Sequence, residues 1–131
     1  MQLPHNFKKI TLHLARSREH PDGSSRHGYD IVAPLTPEGR FDLDACHRQP
    51  DACRVHRFWA GEPDQVGRLR HRAGGAGGST WVFDYDAAQD DDDEAGYRLG
   101  DHVMQTGEYV SVRDDDGEMH TFRIVSVQNA T

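Results

Sequence analysis

VGRLRHR (residues 66–72) and TWVFDYD (residues 80–86) are the two stretches whose pairing decides the fold. With Arg72 set opposite Thr80, Arg68 falls opposite Asp84. Leu69, His71, Trp81, Phe83 and Tyr85 then share one face, and Arg68, Arg70, Arg72, Thr80, Asp84 and Asp86 share the other. A slip of one residue sets the arginines against the aromatic rings, so hydrophobic pattern and charge select the same antiparallel register. This predicts a hairpin with one buried face, a Gly-rich tip (Gly74 to Gly78) and an Arg68–Asp84 charge pair outside.

The same period of two extends in both directions. Ile10, Leu12 and Leu14 alternate with Thr11 and His13, which predicts a half-buried strand. Residues 16–28 hold Pro, Gly and Ser without an apolar residue and read as an exposed connection, followed by a strand over 29–33. Phe41 to His47 is the helix candidate, capped by Asp42 or Asp44 and stopped by Pro50. Arg54 to Trp59 is rich in β-formers, and residues 60–64 break it. The acidic run 87–96 reads as a solvated loop, and 102–104 as a short strand.

At the C-terminal end, Asp114 to Glu118 fits a type I turn followed by a left-handed glycine. That loop places Val110, Val112, His120, Phe122 and Ile124 on one face. Val125 and Val127 break the alternation, which calls for a bulge or for a strand covered on both sides.

Seven strands, one short helix and no alternation of strands with long helices give a mainly β chain, α+β at the margin. The expected architecture is a small antiparallel barrel or strongly curled sheet. The length of 131 residues suits a single domain, 1–131. No stretch approaches the roughly 20 apolar residues needed to span a bilayer, and the N-terminus lacks an apolar signal core, so a cytoplasmic setting is expected. Short strands leave edges that a homodimer would cover.

Charge is unevenly distributed. Residues 1–72 carry 12 Lys/Arg and 9 Asp/Glu, while residues 73–131 carry 3 and 13. Basic strands lying beside acidic ones in one sheet account for this.

Cys46, His47, Cys53 and His56 offer zinc-preferring ligand types, but the cysteines are seven apart with Pro50 between them, unlike the close pairs of structural sites. In the cytosol both should be reduced thiols, and no metal ligand is assigned. An EF-hand starting at Asp84 would place Gln89 where Gly is required and Ala95 where Glu is required, so it fails. The Gly74–Gly78 run lacks the Lys-Ser/Thr of a phosphate-binding loop and leads into a strand. No G-x-S-x-G elbow marks a nucleophile. No catalytic residue and no cofactor is therefore expected.

Arg54, Arg57, Arg68, Arg70 and Arg72 near Phe58 and Trp59 suggest a single-stranded nucleic-acid face, against which stand the net charge of −7 and the Arg68–Asp84 pair. His71 and His120 fall on inner faces, as hydrogen-bonded core residues or as the lining of a pocket.

Residues 94–98 (EAGYR), 107–112 (GEYVSV) and 120–127 (HTFRIVSV), with 27–30 (HGYD) and 53–59 (CRVHRFW), resemble a family of small uncharacterised proteobacterial proteins with no assigned function. The resemblance implies a bacterial cytoplasmic setting and carries over no functional residue.

The functional expectation is a non-enzymatic module that binds a protein or small molecule through residues 54–72. Its ligand-binding residues are Arg57, Trp59, Arg70, His71 and His120. The alternatives are a small enzyme with His71 or His120 as general base at a barrel mouth, and single-stranded nucleic-acid binding.

Overall fold

Period-two alternation closes this chain into an antiparallel barrel. The computed structural model describes residues 6–72, 80–85, 94–97, 102–114 and 117–130. The strands are β1 (Phe7–Leu14), β2 (Ser24–Pro34), β3 (Arg54–Trp59), β4 (Glu62–Arg72), β5 (Thr80–Asp84), β6 (Glu94–Tyr97), β7 (Tyr109–Arg113) and β8 (Met119–Asn129). Each pairs antiparallel with the next, and β8 returns to pair with β1. The described strands thus have no open sheet edge, which corrects the expectation of exposed strand edges: closure itself satisfies the ladder.

The register of β4 and β5 is the one read from sequence, with Arg72 opposite Thr80 and Arg68 opposite Asp84. Leu69, Trp81 and Phe83 are buried inside. The ion pair differs, however. Asp84 Oδ2 accepts from Arg70 Nη1 at 2.7 Å, and Arg68 instead reaches Asp51 at 2.9 Å. Strand twist brings diagonal neighbours together, so the residue directly opposite need not be the partner.

Glu94–Tyr97, whose first three residues were expected in a loop, forms β6 and pairs with both β5 and β7. Residues 102–104, expected as a strand, lie outside the strands. β2 begins at Ser24, inside the expected exposed connection, and His27 is buried. The Gly74–Gly78 tip, Asp86 and the 87–93 part of the acidic run lie outside the described residues.

β8 carries the bulge that the Val125–Val127 pattern calls for. Thr11 pairs with Ser126 and Leu12 with Ile124, which skips Val125 and returns Val127 to register with Ile10. The β7–β8 hairpin has Gly117 at φ 85°, the left-handed conformation expected of it.

Inward side chains fill the barrel. Tyr29 packs on Phe83 and Phe122 with ring centroids 5.0 and 5.1 Å away, among Ile10, Leu12, Ile31, Val55, Val110, Val112 and Ile124. One end is plugged. The helix α1 (Leu43–Arg48), N-capped by Asp42 Oδ1 accepting from the Ala45 amide, buries Ala45 and Cys46 there, and Phe41 packs against Trp81. Pro50 opens a 3-10 turn, Pro50–Ala52, that folds back to β3.

This turn brings Cys46 and Cys53 together as a disulfide, Cα atoms 6.3 Å apart, which corrects the expectation of two reduced thiols. The separation is within disulfide reach once α1 and the turn reverse the chain.

No helix among the described residues is long and apolar enough to cross a membrane. The wall presents Lys9, Arg54, Arg68, Arg70, Arg113 and Arg123 outward around an apolar interior. That polarity is the reverse of a transmembrane barrel.

Candidate functional site

The end opposite α1 is the mouth. There the β1–β2 loop, the Ala60-Gly61 turn between β3 and β4, and the β7–β8 hairpin meet. Gly61 takes φ 83°, which makes that tight turn possible. Inward parity on β3 carries from buried Val55 through Arg57 to Trp59, so both of these side chains face the barrel axis near its rim.

Four rings form a chain across this rim. His20 lies 4.8 Å from His27, His27 lies 4.6 Å from Trp59, and Trp59 lies 5.7 Å from His120, all between centroids. The Arg57 guanidinium stands over the Trp59 ring at 4.6 Å and bonds Glu62 Oε1 at 3.1 Å. The Arg57 side chain is only 12% exposed, so its charge is largely withdrawn from water. His27 Nδ1 shares a 2.6 Å hydrogen bond with Ser24 Oγ. Burial, then the His20 and Arg57 charges, lower the His27 pKa, which keeps it a neutral donor and acceptor at neutral pH.

His120 Nε2 is 3.0 Å from Asp114 Oδ2 and 4.0 Å from Glu118 Oε2. Asp114 also holds the hairpin, its Oδ1 accepting from the Glu118 amide at 2.9 Å. Trp59, His120, His20, Leu14, Met119 and Ser17 line an open groove of about 700 Å³, within the usual range of ligand pockets.

Of the five residues expected to bind a ligand, Arg57, Trp59 and His120 come together here. Arg70 lies on the outer wall, paired to Asp84. His71 sits at the plugged end, 5.0 Å from Trp81 and 6.2 Å from His47, its pKa lowered by burial and then by the His47 charge. The region 54–72 is therefore not one surface. Alternate residues of a strand face opposite ways, and His71 is at the far end of β4 from the mouth. The same parity divides the expected basic and aromatic face, with Arg54, Arg68 and Arg70 outside and Arg57 inside.

His56, a proposed companion of the cysteines, points outward to Asp64 Oδ2 at 2.9 Å. It is therefore not gathered with Cys46, Cys53 and His47. Sequence reasoning missed His20, His27, Ser24 and Asp114. The inward parity of Val110 and Val112 runs on to position 114 and was the available signal for Asp114. The two histidines sit in polar sequence with no periodicity to mark them.

Comparison with protein-family models, with curated proteins and with solved structures finds no match. The functional reading therefore rests on this site alone.

Proposed function

We propose that this protein is a non-enzymatic binding module that takes a small nitrogen heteroaromatic ligand at the barrel mouth. The observation that carries this is Trp59, whose ring lines the groove with Arg57 over it and with His27 and His120 at its sides. An indole held in this way is a flat apolar wall for a ligand ring, and Leu14 and Met119 extend it. The His20 and His120 imidazoles and the Ser17 hydroxyl supply donors and acceptors for a heterocycle's polar edge.

A small ligand is favoured over a protein partner for two reasons. Among the described residues the barrel offers no strand edge to extend, and the large exposed apolar residues Val66, Tyr109 and Met119 are scattered rather than contiguous.

Calorimetric titration with a panel of adenine, cytosine, indole and quinoline tests the reading. Saturable binding of at least one probe, lost in Trp59→Ala and kept in Arg70→Ala, is expected. No saturation by any probe, or binding that survives Trp59→Ala, contradicts it.

One observation favours a second reading, an enzyme with His120 as general base. Asp114 Oδ2 sits against His120 Nε2 at 3.0 Å, the arrangement that orients a catalytic imidazole, and His120 lines an open groove. Hydrolysis of an activated aryl ester above the buffer rate, abolished in His120→Gln, is its expected outcome. A rate unchanged by that substitution removes it.

A further inference from the structure

We infer that Asp114, Glu118 and His120 form a divalent metal site of the kind zinc occupies, on the β7–β8 hairpin beside Trp59. This goes beyond the ligand reading, since the three residues need only the hairpin and the metal. Each offers one ligand atom, and these atoms all lie within 4.8 Å of one another. The Nε2 of His120 is 3.0 Å from Asp114 Oδ2 and 4.0 Å from Glu118 Oε2. Donors around a tetrahedral zinc, each about 2.0–2.2 Å from the ion, stand roughly 3.3 Å apart. Side-chain rotations open the 3.0 Å pair slightly and draw Glu118 in from 4.0 Å to reach that distance.

The hairpin holds the ligands in place. Gly117 N donates to Asp114 O at 3.1 Å, Asp114 N donates to Glu118 O at 2.9 Å, and Glu118 N donates to Asp114 Oδ1 at 2.9 Å. Asp114 thus anchors the turn through one oxygen and presents the other to His120. Trp59 packs against the imidazole at 5.7 Å and restrains it from the opposite strand. Outer contacts that fix a ligand's orientation are what raise metal affinity at such sites.

The donor set selects the ion. Two carboxylates and one imidazole match the charge of a divalent cation and leave a coordination position open to water or a ligand. Calcium asks for about six to eight oxygens and magnesium for octahedral oxygen, which a single half-exposed hairpin does not supply. Binding through Nε2 takes the tautomer that carries the ring proton on Nδ1, which leaves the Nε2 lone pair for the ion and both carboxylates free of it.

Chelator-treated, tag-free protein, kept without reductant so that the cysteines stay joined, should take up about one zinc per chain in calorimetric titration. Glu118, with a 75% exposed side chain, can be changed without unfolding risk. Glu118→Gln should weaken zinc by at least about tenfold, no less than the loss of an outer-shell partner costs, with an unchanged thermal midpoint. His120→Gln should abolish uptake, and cobalt should quench Trp59 emission in wild type. Zinc affinity equal to wild type in both variants, or equal competition by calcium or magnesium, overturns the site. Trp59→Ala should still take up one zinc per chain, at an affinity about tenfold lower or more, while losing heteroaromatic binding altogether, so failure of the metal site and failure of the ligand site are separable.

Discussion

The guanidinium of Arg57 lies 4.6 Å from the centroid of the Trp59 ring, two residues along the same inward face of β3. Because the Arg57 side chain is 12% exposed, the contact is partly desolvated, where such pairs reach about 2 kcal/mol. The ion pair to Glu62 is of another kind. Glu62 is 54% exposed, and exposed pairs contribute below about 1 kcal/mol. Urea denaturation should therefore show Arg57→Ala losing about 2 kcal/mol and Glu62→Gln less than about 0.5. Equal losses in the two variants would mean that the ion pair, and not the ring contact, holds Arg57.

The lowered pKa values of His27 and His71 set the direction of the pH dependence. Both stay neutral in the folded chain below the ordinary 6.5, where the unfolded chain takes up protons. The unfolded state then binds more protons, so stability is full above 6.5 and is lost as pH falls toward the folded values. The urea midpoint should drop between about pH 7 and pH 5.5, and a His27→Gln, His71→Gln double variant should show a shallower drop. An identical slope in the double variant would contradict the assignment.

Gly28 follows His27 on β2 and lies against the backbone of Leu12 on β1. A Cβ there would lie 1.9 Å from the Leu12 carbonyl oxygen, a backbone atom that cannot turn aside. Gly28→Ala should cost more than about 2 kcal/mol, the range of overpacked sites, and should displace His27 from Trp59. A variant as stable as wild type would show that β1 can shift freely.

Much of the barrel was legible because period-two burial fixes register wherever one face is apolar. The β4–β5 pairing, the Asp114–Glu118 hairpin and the Val125 bulge all follow from Trp81, Phe83, Phe122 and Ile124 having to point inward. Glu94–Tyr97 was not legible, since it follows four aspartates and contributes little apolar surface of its own. Its strand character comes from pairing on both sides. His27 was hidden for a related reason, being buried by Trp59 from β3 rather than by its own sequence neighbours. The site was half legible: parity found Trp59 and His120, but which end of the barrel a residue reaches is a property of topology, and His71 was assigned with them.

The Arg68–Asp84 pair shows the same limit at finer scale. Register was right, yet twist gave Asp84 to Arg70. A double-mutant cycle should find a coupling above about 1 kcal/mol for Arg70 with Asp84, a hydrogen bond to a buried charge, and near zero for Arg68 with Asp84. The reverse ranking would mean that the direct cross-strand pair prevails in solution.

Amide and indole chemical-shift mapping with the heteroaromatic probes tests the mouth most directly. Binding at the site described should shift the Trp59 indole, His20, Met119 and His120 together and leave Trp81 and His71 unmoved. Shifts centred on Trp81 and His71, or no shift with any probe, would contradict a ligand site at this end of the barrel.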